Sequence, residues 1–198
     1  DSMGLTLPGA SSIPAVDSGH QRMSADCGRR IVEMVWEDLT PDQIITDASC
    51  RNAAIVAMAT GCSTNAVVHL IAMAKRAGVG LKLEDLDELG RTTPLIANVR
   101  PSGKDYLMED FFYAGGLPAV IKEIGDHIHK HAPTVNGKSI WENVKDATCY
   151  DRNVIFTQGK PFKDSGGIVV LKGNLAPTGA IVDLPRAAAA HPRGGAAP

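Results

Sequence analysis

Residues 61–78 read GCSTNAVVHLIAMAKRAG, and this stretch decides how the chain is organised. Gly61 suits the left-handed residue that closes one helix. Ser63, Thr64 and Asn65 then crowd hydroxyl and amide groups where a second helix begins. Val67, Leu70, Ile71 and Ala74 recur on one face of that helix, over 64–77, and the cationic pair Lys75-Arg76 sits where the helix dipole favours positive charge. Gly78 ends it. A helix on each side of a Gly-Cys turn predicts an antiparallel helical hairpin. The first N–H groups of a helix lack intrahelical partners, and the dipole there favours anions. Two readings of the Ser-Thr-Asn triplet are therefore open. It is either an N-cap and nothing more, or a helix start aimed at an anionic ligand.

Upstream, Thr46 or Asp47 caps a helix over 47–60. Before it, Asp17 or Ser18 caps another over 18–39, with Met23, Cys27, Ile31, Met34, Val35 and Leu39 as its expected core face and Pro41 as its stop. The stretch 4–16 reads as a structured loop. Downstream come a short acidic helix over 83–89 and a helix over 117–128 carrying Leu117, Val120, Ile121, Ile124 and Ile128, with Pro118 in its first turn. Segments 95–99, 154–156 and 168–171 are β-prone. The expected class is α/β: a helix-rich layered domain with a short, mostly parallel sheet. Residues 184–198, LPRAAAAHPRGGAAP, are Ala-, Pro- and Gly-rich with almost nothing to pack, and are expected to be disordered.

The length of 198 residues suffices for a sizeable core. A formal net charge of −2 without a basic stripe gives no electrostatic reason to expect nucleic acid. No apolar run approaches the roughly 18 residues of a membrane span. Cys27, Cys50, Cys62 and Cys149 form no CxxC pair, so no zinc motif is expected, and reduced thiols in a cytoplasmic setting are the default.

His127, His129 and His131 alternate, which scatters them around a helix rather than gathering them on one face. Glu84, Asp85, Asp87 and Glu88, and likewise Glu109 and Asp110, read as solvated helix faces and helix-start carboxylates rather than a cation site. No GxSxG, HExxH, P-loop or dinucleotide fingerprint appears. The residues alone identify no catalytic group and no metal ligand. The candidate substrate-binding residues are Ser63, Thr64 and Asn65.

The stretch 61–78 closely resembles the signature of the dihydroxy-acid and sugar-acid (6-phosphogluconate, aldonate) dehydratase family, with Cys62 where that family usually has a second glycine. LPGASSIPAVDSGHQRM at 7–23, GRRIVEM at 28–34, TTPLIANVRPSGKDYLMEDFFYAGGLPAV at 92–120 and VVLKGNLAPTGAIV at 169–182 extend the resemblance in the family's order.

The resemblance implies a hydro-lyase that converts a 2,3-dihydroxy acid to a 2-keto-3-deoxy acid. It implies an iron–sulfur cluster and Mg2+ in the complete enzyme, whose ligands lie in motifs not found in this chain, and a homo-oligomer acting on a small hydroxy acid. It further implies that 1–165 belong to an N-terminal α/β domain, that 166–183 start a truncated C-terminal β-barrel, and that 184–198 are a foreign tail. The wording at 96–117 resembles aldonate dehydratases more than the branched-chain amino acid enzyme. On this reading the fragment itself is inactive. The alternative is a non-catalytic remnant that only folds or associates with an intact subunit.

Overall fold

A computed structural model describes residues 1–183, and the expectation of disorder for 184–198 lies outside them. The element order is a short 3-10 turn (Ala10–Ser12), then α1 (Ser18–Trp36), α2 (Pro41–Ile44), α3 (Asp47–Thr60), α4 (Thr64–Arg76), α5 (Leu83–Thr92), α6 (Met108–Tyr113), α7 (Gly116–Glu123), α8 (Ile140–Val144), β1 (Ile168–Gly173) and β2 (Ala176–Asp183). Among the described residues no helix is long and apolar enough to cross a membrane.

Helix α3 is the axis of the core. Thr46 and Ser49 cap it reciprocally: Ser49 N–H donates to Thr46 Oγ1 at 3.2 Å, and Thr46 N–H to Ser49 Oγ at 2.8 Å. From Asn52 to Ala59 every residue is buried, because α4, α5 and α7 all pack on it. Its small residues let backbone come close; a Cβ on Gly166 would lie 2.7 Å from Met58 Cβ. Asn52, fully buried, is satisfied by the backbone of His129: its Nδ2 donates to His129 O at 3.0 Å, and its Oδ1 accepts from His129 N–H at 2.7 Å.

The expected sheet is corrected by the structure. Among the described residues the only sheet is an antiparallel β1–β2 hairpin, with Ile168 opposite Asp183 and Leu171 opposite Ala180. Parallel pairing needs a long crossover, whereas only Asn174 and Leu175 separate these strands. A parallel contact occurs only as the single bridge between Val99 and Tyr106, and the described residues contain no barrel. Segments 95–99 and 154–156 run extended but are joined by isolated bridges, Ala97 with Ile155 and Leu95 with Lys163. The reason lies in the donors. Ile96 and Ala97 N–H both turn to Ala59 O at the end of α3 (2.9 and 3.2 Å), which interrupts a ladder.

The hairpin docks on α5. Val170 N–H donates to Asp87 Oδ1 at 2.9 Å, Lys172 pairs with Glu84, and Ile168 enters the core, where a Cβ on Gly90 would sit 2.5 Å from Ile168 O.

Helix α1 is capped by Asp17, whose Oδ1 accepts from Gly19 N–H at 2.6 Å. Its expected core face is largely uncovered: of the six residues named for it only Met34 is buried. The helix also stops at Trp36, three residues early, as Asp38 turns to a φ of 54°. The expected 117–128 helix ends at Glu123. Ile124 and Ile128 remain core residues beyond it, and the chain turns where a Cβ on Gly125 would strike the Trp141 ring at 2.6 Å.

Candidate functional site

The turn between α3 and α4 is built from two directions. Gly61 takes φ 67° and ψ 55°. Its N–H and that of Cys62 return to Met58 O and Ala57 O, satisfying carbonyls at the end of α3. From the far side, Ser102 Oγ donates to Gly61 O at 2.7 Å. A Cβ at Gly61 would lie 2.4 Å from that Oγ, so both the positive φ and the close approach require glycine.

Ser63 is the N-cap of α4, and its Oγ accepts from Asn65 N–H at 3.2 Å. The cap sits in the lining of a cleft of about 240 Å³. Ser11 and Ser12 come from the 3-10 turn, Thr60 to Ser63 from the helix–helix turn, and Ala97, Val99 and Arg100 from the extended segment. Met108, Phe111 and Leu117 complete an apolar wall. Three of the hydroxyls have partners within the fold: Thr60 Oγ1 donates back to Val56 O at 2.8 Å, Ser12 Oγ accepts from Leu117 N–H at 3.1 Å, and Ser11 Oγ donates to Asp1 Oδ2 at 2.8 Å.

Arg100 is the one charged residue in this lining. Its Nε donates to Lys104 O at 2.9 Å, and among the described residues it has no carboxylate partner. A cis peptide links it to Pro101. The cleft therefore combines one guanidinium, a helix start and several hydroxyls over an apolar floor. That chemistry suits a small monoanion bearing hydroxyl groups.

Of the three residues expected to bind substrate, Ser63 lines the cleft. Thr64 is half-buried in the first turn of α4, Asn65 is exposed, and neither belongs to the lining. Sequence reasoning missed Ser11 and Arg100. Both lie within stretches that carried the family resemblance, but their spacing gave no sign that they meet the 61–63 turn.

The sequence profile of the dihydroxy-acid/6-phosphogluconate dehydratase N-terminal family matches residues 1–143. The chain belongs to this dehydratase family. An L-arabinonate dehydratase of Rhizobium leguminosarum is 49% identical over 193 residues, covering 96% of this chain and 33% of the relative. A dihydroxy-acid dehydratase of Ignicoccus hospitalis is 50% identical over 184 residues (92% and 33%). A 6-deoxy-6-sulfo-D-gluconate dehydratase of Pseudomonas putida is 43% identical over 197 residues (98% and 33%). The family is enzymatic, and dehydratases of this kind are hydro-lyases. The chain spans about a third of the length of these relatives.

The iron–sulfur cluster and Mg2+ implied by the resemblance find no donor set here. Among the described residues no three His, Cys, Asp or Glu side chains gather to hold a metal ion. Cys27 lies in α1, Cys50 in α3, Cys62 in the cleft and Cys149 after α8. Burial pushes the Cys50 thiol up, with Asp47 adding to the effect, and burial likewise raises Cys149. The acidic groups have structural partners. Asp85 accepts from Lys82 N–H, Asp87 holds Arg91 and Val170 N–H, and Asp110 accepts from Leu107 N–H.

Proposed function

We propose that this chain is part of the N-terminal domain of a hydro-lyase that dehydrates a 2,3-dihydroxy carboxylic acid, and that the cleft at the 61–63 turn is part of its substrate region. The observation that carries this reading is the Ser63-capped start of α4 opening on a cleft whose single charged lining residue is Arg100. The reaction removes the C2 proton and the C3 hydroxyl, and the resulting enol tautomerises to a 2-keto-3-deoxy acid. Residues here bind and orient. Arg100 takes the carboxylate, the start of α4 adds the positive end of its dipole, the Ser63 hydroxyl donates to a substrate hydroxyl, and Ser11 Oγ, whose own proton goes to Asp1, accepts from another.

An aldonic acid is favoured over the branched-chain intermediate. The 96–117 segment resembles the aldonate enzymes, and a cleft with several hydroxyls serves a substrate with several of its own. The two kinds of relative are equally similar, at 49% and 50% identity, so substrate choice rests on the test.

In a full-length relative carrying these residues, Arg100→Gln is expected to lower kcat/KM for L-arabinonate by about tenfold or more. Ser63→Ala should lower turnover by more than a lost cap of roughly 1 kcal/mol explains. Folded variants with unchanged kcat/KM toward both L-arabinonate and dihydroxyisovalerate would overturn the assignment.

A further inference from the structure

Ser11 enters the cleft at the 61–63 turn with its hydrogen-bonding sense fixed by a charge outside the lining. It sits in the 3-10 turn Ala10–Ser12, and the next residue anchors that turn. Ser12 is buried, and its Oγ accepts from Leu117 N–H at 3.1 Å in the first turn of α7. A Cβ on Gly116 would come within 3.0 Å of that Oγ, so the turn packs closely on α7 and Ser11 is carried on a rigid support. Ser11 itself is exposed.

The Asp1 carboxylate takes one hydroxyl on each oxygen. Thr6 Oγ1 donates to Oδ1 at 2.5 Å, and Ser11 Oγ donates to Oδ2 at 2.8 Å. An ionised carboxylate can only accept. The Ser11 proton is therefore claimed, and its oxygen has only lone pairs to offer the cleft. The negative charge behind it polarises the hydroxyl and makes that oxygen a stronger acceptor. Thr60 Oγ1 likewise gives its proton away, but to the neutral Val56 O of its own helix. Arg100 and Ser63 have the opposite sense: the guanidinium has donors only, and Ser63 Oγ, already accepting from Asn65 N–H, keeps its own proton to give.

We propose that the Asp1–Ser11 pair sets the substrate specificity of this cleft by accepting a hydrogen bond from a hydroxyl carried beyond C3 of the acid. The inference rests on the reading of the cleft as substrate region. Ser11 is the residue in contact, and Asp1 acts through it as a positioning residue. The reaction itself consumes the C3 hydroxyl and turns C2 into a ketone, so a lasting acceptor needs a hydroxyl elsewhere. An aldonic acid has one on C4, clear of the bonds that break. Dihydroxyisovalerate has methyl groups in that region, and against them the Ser11 lone pairs lose water and gain no donor. A polar group left unmatched in this way is how a site built for a hydroxyl rejects the analogue lacking it.

Steady-state kinetics on a full-length relative carrying Asp and Ser at these two positions tests this, with L-arabinonate and dihydroxyisovalerate as paired substrates. Ser11→Ala is expected to lower the ratio of kcat/KM for L-arabinonate over dihydroxyisovalerate by about tenfold or more. Asp1→Asn leaves the Ser11 hydroxyl in place and removes the charge behind it, so the same ratio should fall by less. A merely structural role would slow both acids alike and leave the ratio where it was. A ratio unmoved by Ser11→Ala overturns the proposal, and one moved by Ser11→Ala but not by folded Asp1→Asn removes Asp1 from it. Because Ser11 is exposed, its variant decides the matter even where Asp1→Asn disturbs the fold. Arg100→Gln separates this failure from failure of the cleft assignment. It slows both acids if the cleft takes the carboxylate, whatever Ser11 does, and slows neither if the substrate binds elsewhere, in which case both readings fall.

Discussion

Helices α1 and α3 make opposite use of their apolar residues. Helix α1 has a distinct apolar face and a charged edge, yet buries a single side chain; α3 has almost no polar face, and its residues are covered nearly all round. Periodicity reports which face of a helix is apolar, and it is silent on whether anything in the chain covers that face. An interior helix announces itself differently, by losing its polar side and filling with small residues. Ala53, Ala54, Ala57 and Ala59 do this in α3, so that α4, α5 and α7 can all reach it.

The largest expected effect breaks or sharpens that contrast directly. Met58 is fully buried against Gly166 and Gly90, and Met58→Ala should destabilise the chain by about 2–5 kcal/mol through lost contact and a cavity. Val35→Ala in α1 should change stability by about 0.5 kcal/mol or less. Urea unfolding of both variants compares them. Similar losses at the two sites would show that α1 is held by the body far more firmly than its exposure indicates.

The same contrast separates fold from function at the turn. Gly61→Ala adds a Cβ into Ser102 and strains a φ of 67°, at a cost of about 1–3 kcal/mol. Ser63→Ala removes only the cap, about 1 kcal/mol. Asn65, exposed and contributing its backbone to the cap, should tolerate alanine with little change in stability. Thermal unfolding of the three should rank them in that order. A cost at Asn65 equal to that at Ser63 would mean that its side chain has a structural role the cap does not supply.

What the sequence made legible was local. Asp17, Thr46 and Ser63 all stand as caps among the alternatives offered at those positions, and Gly61 closes α3 through the left-handed turn expected of it. What it hid was long-range. Ser102 reaches Gly61 from 41 residues away, and Asn52 meets His129 from 77 away, so neither the buried amide nor the arrival of Arg100 in the cleft had a local signal. Strand propensity at 95–99 was real, but the carbonyl ending α3 took two of the donors a ladder needs. Of the triplet Ser63, Thr64 and Asn65, spacing could mark a helix start, whereas which side chain entered the cleft depended on the angle at which α4 leaves the turn.

The smallest expected effect concerns how the hairpin is tied to α5. Lys172 pairs with Glu84, and both side chains are more than half exposed. The hydrogen bond from Lys172, helped by a backbone N–H and by the lysine's charge, holds the Glu84 carboxyl below its ordinary 4.5. Because the folded value lies below the unfolded one, the pair's contribution is complete above pH 4.5 and is lost as pH falls through the folded value. Lys172→Met should therefore lower stability slightly at neutral pH, and the gap to the unmodified chain should close in acid. Exposure makes the gap sensitive to salt. In α1, Glu37 is held down in the same way by Arg30, whose Nε also donates to Val135 O, so Lys172→Met should leave that acid-sensitive tie in place and only part of the acid transition should change. Urea midpoints measured from neutral to acid pH, at low and high salt, read this out. A gap between Lys172→Met and the unmodified chain that persists undiminished below the folded Glu84 value would show that Lys172 stabilises the hairpin through its methylene stem against α5 and not through its charge.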